Sequence, residues 1–532
     1  MIQSYKKQPH LSNKYDVIVI GSGIGSLTAA TLLAKSGKKV LILERHYTAG
    51  GFTHIFKRKN YEWDVGIHYI GEVQRPNSAI KKLFDYITDG KLQWADMGEV
   101  YDRVIIGDKT YDFVKGVTNF KAQIKAYFPE EGPAINRYVD LVFQANKAMG
   151  KFYINKTLPQ WVSRFLGTFL TKKYLKFTDQ TTHEVLSSLT KNEALIKVLT
   201  AQYGDYGLPP RQSSFAMHAS VVKHYFDGGS FPVGGSGAIV SKVNDVLEAH
   251  GAQIMTNAEV AEIRIEQGKV IGVKMQEGRD IAADQVVSGV GIINTYEQLI
   301  PETIRAKHKF EAQLQKIQPS VGHGCLYIGL EGSPESLKLP KNNLWIYPEG
   351  VDHDQAVADY LEDQDRPFPV VYISFPAAKD PSWNARYPDR STIDVITLLP
   401  YQTFAQWEGT KWMHRGTEYE ALKEQIAQRL LLHLFEQLPH LKDHIDHYEL
   451  STPLTTKNFA NYQKGELYGI DHSPSRYRQK FLQPRTPING LYLTGQDIVT
   501  AGVGGALFSG LITASAMTGR NYMKRVMRDE SK

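Results

Sequence analysis

The sequence predicts an α/β fold, with a parallel-sheet unit built around a glycine turn and a second lobe of mixed strands and helices. Three observations carry this. Residues 17–20 are a continuous β-branched run bounded by turn residues, the pattern of a strand buried on both faces. A turn follows at Gly21-Ser22-Gly23-Ile24-Gly25-Ser26, and then an Ala- and Leu-rich stretch over 27–35 stops at Ser36-Gly37. A second strand over 39–43 delivers Glu44 at its end. Together these make a βαβ unit.

In such a unit the first glycine permits the tight turn and the second lets a pyrophosphate approach the backbone. Open N–H groups and the positive end of the helix dipole then face the phosphates. A carboxylate roughly 20 residues further on accepts hydrogen bonds from a ribose, and Glu44 holds that place. A dinucleotide site is expected rather than an ordinary glycine turn. The third glycine of the fingerprint is Ser26 here, which asks for more room where the helix packs on the strand.

The totals set bounds. With 532 residues, 42% of them hydrophobic, the chain can hold two or three lobes and a large core. A net charge of +6 is mild for this length, and without a Lys/Arg block it argues against a nucleic-acid partner. The single cysteine, Cys325, excludes an intrachain disulfide and favours a reducing compartment. Residues 1–13 are polar and carry no apolar segment of a secretory signal. A cytoplasmic protein, at most peripheral to a membrane, is expected.

Further along, residues 76–94 and 119–152 are mostly helical in pattern, with a short strand pair at 104–106 and 110–113 between them. Over 157–177 an aromatic stripe, Trp161, Phe165 and Phe169, recurs every four residues beside Arg164, Lys172, Lys173 and Lys176. It reads either as a helix packed on the core or as one that dips into a membrane interface at the mouth of a lipid tunnel. Another glycine turn at 231–237 precedes a helix over 238–250. No strand leads into that turn, so it is not a second dinucleotide fold. Strand patterns follow at 253–255, 259–265, 270–276 and 285–288.

A second lobe is read from about 301 to 477, with strands at 325–330, 370–375 and 391–399 and an amphipathic helix over 418–438. His433, His440, His444 and His447 fall near helical spacing, but Pro439 interrupts a common face and no metal site is expected. The tail closes with a strand into Gly495-Gln496-Asp497 and a small-residue helix opened by Gly502, Val503 and Gly505. Between Asp497 and Arg520 there is no charge. The density of Gly, Ala, Ser and Thr nonetheless fits a buried helix better than a membrane span.

The strings VIGSGIGSL (19–27), DVGIHYIG (64–71), STPLTTKNF (451–459), GELYGIDH (465–472) and LYLTGQD (491–497) resemble the phytoene-desaturase-like and carotenoid-isomerase-like flavoproteins of the amine-oxidase-like superfamily. The nearest branch is that of the all-trans-retinol 13,14-reductases, or retinol saturases. The resemblance implies noncovalent FAD in a Rossmann-like domain assembled from 14–75, 231–300 and 481–520. Residues 76–230, mainly helical, and 301–480, mixed sheet and helix, would then form a hydrophobic substrate lobe. The FAD contacts implied are the Gly21 to Ser26 turn, Glu44, Arg45, Gly50, Gly51, Gly66, Gly495, Gln496, Asp497, Gly502, Val503 and Gly505. Val260 would offer its backbone to the adenine, or else be a plain sheet residue. Whether Gln496 or Asp497 meets the ribityl chain is open, because related desaturases carry Gly-Asp there.

The implied reaction saturates a double bond of a conjugated polyene such as a retinoid or carotenoid. Hydride would come from flavin N5 and a proton from an enzyme acid in a dry pocket. His68 and Tyr69 are the first candidates for that acid, with Glu466 and Asp471 next. With one dinucleotide fold, either NAD(P)H visits transiently or another donor reduces the flavin. Desaturation, redox-neutral isomerisation and a lipid carrier without turnover are the competing readings.

Overall fold

The structure, a computed structural model, describes residues 2–7 and 11–528, apart from the side chains of Gln160 and Arg164. Its first layer is an eight-stranded sheet. The strands β1 (Ile2–Ser4), β2 (Lys14–Ile20), β3 (Val40–Leu43), β4 (Gln253–Thr256), β5 (Val260–Glu266), β6 (Lys269–Met275) and β7 (Asp280–Ser288) lie in the order β1-β4-β3-β2-β7-β6-β5. β8 (Leu491–Leu493) pairs in parallel with the C-terminal end of β7. The central strands β4, β3, β2 and β7 are parallel, and Val17, Ile18 and Val19 are fully buried. Burial on both faces is why the sequence runs apolar there without alternation.

Four helices bear on the site: α1 (Ile24–Lys35), α2 (Gly132–Thr157), α3 (Gln160–Thr178) and α4 (Gly502–Thr518). α1 and α4 meet through small residues. A Cβ on Gly25 would stand 2.8 Å from Ala506 O and 3.1 Å from Gly495 N. This close packing accounts for the Gly- and Ala-rich tail, since larger side chains would force the helices apart. Among the described residues no helix is long and apolar enough to cross a membrane.

The second layer is a seven-stranded mixed sheet in the order Ile445–Leu450, His323–Glu331, Arg390–Leu398, Val371–Ser374, Asn343–Tyr347, Val100–Ile106, Lys109–Val114. The short strand pair expected near 104–113 is present as an antiparallel hairpin, but it does not stand alone among helices. It completes the later sheet through parallel pairing of Val100–Ile106 with Asn343–Tyr347. The helix Thr417–Gln437 lays Ile426, Leu430 and Leu434 into the core beneath this sheet.

Candidate active site

A cavity of about 320 Å³ opens at the C-terminal ends of β2, β3, β7 and β8, bounded there by Ile20, Leu43, Gly289 and Gly495. This is where open parallel sheets take ligands. Glu44 knots its rim. Its Oε2 accepts from Ser22 N at 2.9 Å and Ser22 Oγ at 2.7 Å, and its Oε1 accepts from His46 N at 2.7 Å. Ser22 Oγ in turn accepts from Gly50 N at 2.9 Å, so one carboxylate ties the glycine turn, the strand end and the glycine pair together. Arg45 donates to Asn458 O at 2.7 Å, drawing the 451–459 string over the cavity.

Two helix N-termini converge here. Neither α1 nor α4 has a side-chain cap or an acid in its first turn, so both leave N–H groups free for an anionic or electron-rich ligand. A Cβ on Gly23 or Gly502 would meet nothing within 4 Å, which leaves the backbone open to close approach. The room that Ser26 requires comes from Gly289, whose missing side chain would otherwise occupy the position of the Ser26 hydroxyl. Ile24, Gly51, Gly66, Val260 and Val503 line the same cavity.

Two expected contacts stand elsewhere. Both carboxylate oxygens of Asp497 are turned into the protein, Oδ1 accepting from Ile470 N at 3.0 Å and Oδ2 from Ile292 N at 2.9 Å. Gln496 lines the cavity instead, its amide donating to Tyr462 OH at 3.0 Å and Leu467 O at 3.2 Å. Gly505 borders a second cavity and lacks a side chain because Thr500 O packs against its Cα.

That second cavity, of about 1260 Å³, lies between the two layers, α2, α4 and the helix Phe215–Tyr225. Both cavities share Gly66, His323, Leu467, Tyr468, Gly502 and Val503 as walls, so a planar ring system held in the first would present itself to the second. His323 is buried and pushed down to about 4, which leaves a neutral imidazole at the junction. Tyr468 belongs to the GELYGIDH string, but neither it nor His323 showed a sequence signal that would single it out.

His68 and Tyr69 both line the larger cavity. His68 Nδ1 stands 3.4 Å from Asp394 Oδ2. Tyr69 stacks on Tyr225 with ring centroids 4.1 Å apart, and its hydroxyl reaches Asp102 Oδ2 at 2.9 Å and Asp205 Oδ2 at 3.2 Å. Burial pushes the Tyr69 phenol well above its ordinary value. Behind it Lys379, held down to about 7 by burial, donates to His68 O at 3.0 Å, to Ser374 Oγ at 2.7 Å and to Asn343 Oδ1. The second-choice acids face neither cavity. Glu466 Oε2 accepts from Lys464 N at 2.7 Å, and Asp471 Oδ1 accepts from Ser473 Oγ at 2.8 Å.

A nucleotide cradle at the sheet's carboxyl edge, with a large apolar chamber against it, defines a flavin-dependent oxidoreductase. Residues 27–518 match the model of the flavin-containing amine oxidoreductases, and the chain belongs to that family. It is 35% identical over 525 residues to an all-trans-retinol 13,14-reductase of Danio rerio, covering 95% of this chain and 86% of that protein. It is 26% identical over 514 residues to a prolycopene isomerase of an Oncidium hybrid, covering 94% and 84% respectively. Cyclohexylamine oxidase of Brevibacterium oxydans has a similar fold, with a TM-score of 0.60 at 14% identity over 97% of this chain and all of that one.

Proposed function

We propose that the enzyme saturates a carbon–carbon double bond of a hydrophobic conjugated polyene, a retinoid or carotenoid, using noncovalent FAD. The observation that carries this reading is the apolar chamber of about 1260 Å³ against the cofactor cradle, in a chain 35% identical to a retinol 13,14-reductase. The residues fit FAD. Glu44 suits the adenosine ribose, the Gly21 to Ser26 turn and the α1 N-terminus suit the pyrophosphate, and the backbone of Val260 suits the adenine. Arg45, Gly50 and Gly51 would close over the phosphates, Gly495 and Gln496 over the ribityl chain, with Gly66, Gly502 and Val503 at the ring. Cys325 is buried outside both cavities, so it offers no covalent attachment.

Bound there and reduced, the flavin supplies a hydride. The chain's own residues would hold the polyene against the junction, exclude water and supply a proton from the wall that carries His68 and Tyr69. The α4 N-terminus, free of acids, would stabilise the negative charge of the reduced ring. The electrons come from a visiting donor, NAD(P)H or another reductant.

The chamber's mouth supports peripheral membrane contact. Phe143, Ile154 and Leu158 line the chamber next to α3, whose Trp161, Phe165 and Phe169 are 70%, 78% and 77% exposed. A polyene could then enter from a lipid surface without crossing water.

An anaerobic spectrum tests the reaction. The dithionite-reduced enzyme, mixed with all-trans-retinol, should regain its oxidised flavin band as a blue-shifted polyene appears. The prolycopene isomerase relative favours a second reading, redox-neutral isomerisation, in which the flavin stays reduced while the polyene changes geometry. If neither species changes with retinoids or carotenoids, the polyene reading is wrong.

A further inference from the structure

Saturating a polyene takes a proton as well as a hydride, and the chamber wall contains a carboxyl group that the arrangement of hydrogens keeps protonated. Tyr69 has one phenolic proton, yet two carboxyl oxygens lie within hydrogen-bond distance of its oxygen, Asp102 Oδ2 at 2.9 Å and Asp205 Oδ2 at 3.2 Å. Sharing that proton between the two would leave two buried carboxylates facing each other across one phenol, whereas a proton on one of the acids removes the repulsion and fills both contacts.

The surroundings decide which. Asp102 is fully buried and receives two amide donors, Gln202 Nε2 on Oδ2 at 2.8 Å and Asn343 Nδ2 on Oδ1 at 2.8 Å. The Asn343 amide is oriented by Lys379, which donates to its other end. Burial raises the Asp102 carboxyl as well, but the hydrogen bonds from Asn343, Gln202 and Tyr69 oppose that rise, and Asp102 acts only as an acceptor, the behaviour of an ionised carboxylate. Among the described residues Asp205 has no amide or cationic donor. Its one hydrogen-bond partner among them is Tyr69, and it borders the chamber. The consistent assignment is Asp205 O–H donating to Tyr69 O, and Tyr69 O–H donating to Asp102.

The other titratable groups facing Asp205 are uncharged phenols, Tyr206, Tyr225, Tyr347, Tyr372 and Tyr468. Lys379 stands behind Asn343. Burial and the Asp102 charge both push Asp205 well above the ordinary carboxylate range. Its position suits the chemistry, because Gly204, the preceding residue, accepts from Tyr468 OH at 2.7 Å, and Tyr468 is a wall common to both cavities.

We infer that Asp205 is the proton donor to the polyene, with Tyr69 and Asp102 as positioning residues that hold its proton. The assignment rests on the saturase reading. In the step, the carbon–carbon π bond breaks, one carbon takes the Asp205 proton and its neighbour takes hydride from the reduced flavin. Two C–H bonds form, the flavin is oxidised by two electrons, and Asp205 is left as a carboxylate to be reprotonated from water. His68 and Tyr69 then shape the wall and are not the donor.

The test uses holoenzyme and the isosteric variant Asp205→Asn, with Asp205→Glu as the conservative control. Infrared difference spectra of Asp205→Asn against wild type, without substrate, should show the loss of one protonated-carboxyl C=O band that shifts in D2O. Single-turnover oxidation of the dithionite-reduced flavin by all-trans-retinol should slow by about 10²–10⁴-fold in Asp205→Asn. Asp205→Glu should recover part of that rate, and dithionite reduction of the flavin should be unaffected. An unchanged turnover rate in Asp205→Asn, or no missing carboxyl band, overturns the assignment. A wild-type enzyme inert toward every polyene overturns the saturase reading and the donor role with it, while the infrared band independently reports whether Asp205 carries the proton.

Discussion

Ser26 occupies the space that Gly289 leaves empty. A side chain on Gly289, at the end of β7, would overlap the Ser26 hydroxyl and come within 3.2 Å of Thr494 Cγ2. The loss of the third fingerprint glycine from α1 is thus compensated across the packing interface. The predicted outcome is a sign reversal. Gly289→Ala alone should destabilise by about 1–3 kcal/mol through overpacking and lose flavin, whereas adding Ser26→Gly should restore much of both. Thermal melts and flavin-to-protein ratios of the two single variants and the double variant decide it. Purely additive losses would mean that the contact with Thr494, not Ser26, sets the limit.

The aromatic face of α3 should be dispensable for folding, because Trp161, Phe165 and Phe169 are mostly exposed. Replacing all three with Ser should abolish co-sedimentation with liposomes and shift the melting temperature little. Unchanged partitioning would reject the membrane contact. Lys172, Lys173 and Lys176 supply positive charge on the same helix, which favours an anionic lipid surface; the Arg164 side chain lies outside the described residues.

Asp64 gives stability a pH dependence whose sign follows from its burial. Desolvation raises its carboxyl to about 7 from an ordinary 3.8. The folded chain therefore keeps a proton that the unfolded chain releases above pH ~4, and the associated stability is full below that point and lost as pH rises through about 7. Glu466, also raised to about 7, adds in the same direction. Asn at position 64 can still accept from Ser236 N, now at 2.5 Å from Asp64 Oδ1, and cannot ionise. Denaturant midpoints measured at about pH 5 and about pH 8 should fall less in Asp64→Asn than in wild type. Equal falls would show that Asp64 ionises without penalty.

The parts legible in the sequence are those whose signals are local. The β-branched run, the glycine turn and Glu44 fall within one short stretch, and the small-residue tail declares a close-packed helix. Three-residue β1 carries no such signal, because its pairing with β4 is decided by a sheet edge more than 250 residues away in the chain. Asn343–Tyr347 and Ile445–Leu450 likewise carry no local signal, being strands fixed by their sheet partners. Asp205 was invisible for a deeper reason. A lone acid after Gly204 has no spacing signature, and its environment is assembled from Tyr69, Asp102, Gln202 and Asn343, which meet only in the folded chain.

Gln496 and Asp497 are neighbours in the chain with opposite expected behaviour. Asp497 bridges Ile292 N and Ile470 N, and Gly469 lacks a side chain because Asp497 Oδ1 lies where its Cβ would be. Asp497→Ala would leave two buried N–H groups without acceptors, at about 1–3 kcal/mol each. It should therefore lower the melting temperature of the flavin-free protein as much as that of the holoenzyme. Gln496 lines the cofactor cavity and its amide holds Tyr462 and Leu467 at the rim. Gln496→Ala should leave the flavin-free melting temperature nearly unchanged while weakening flavin binding, read by fluorescence titration of the stripped protein. Were the pattern reversed, with Asp497→Ala losing affinity at constant stability, the ribityl contact would belong to the acid and the loop around Gly469 would have to rearrange when flavin binds.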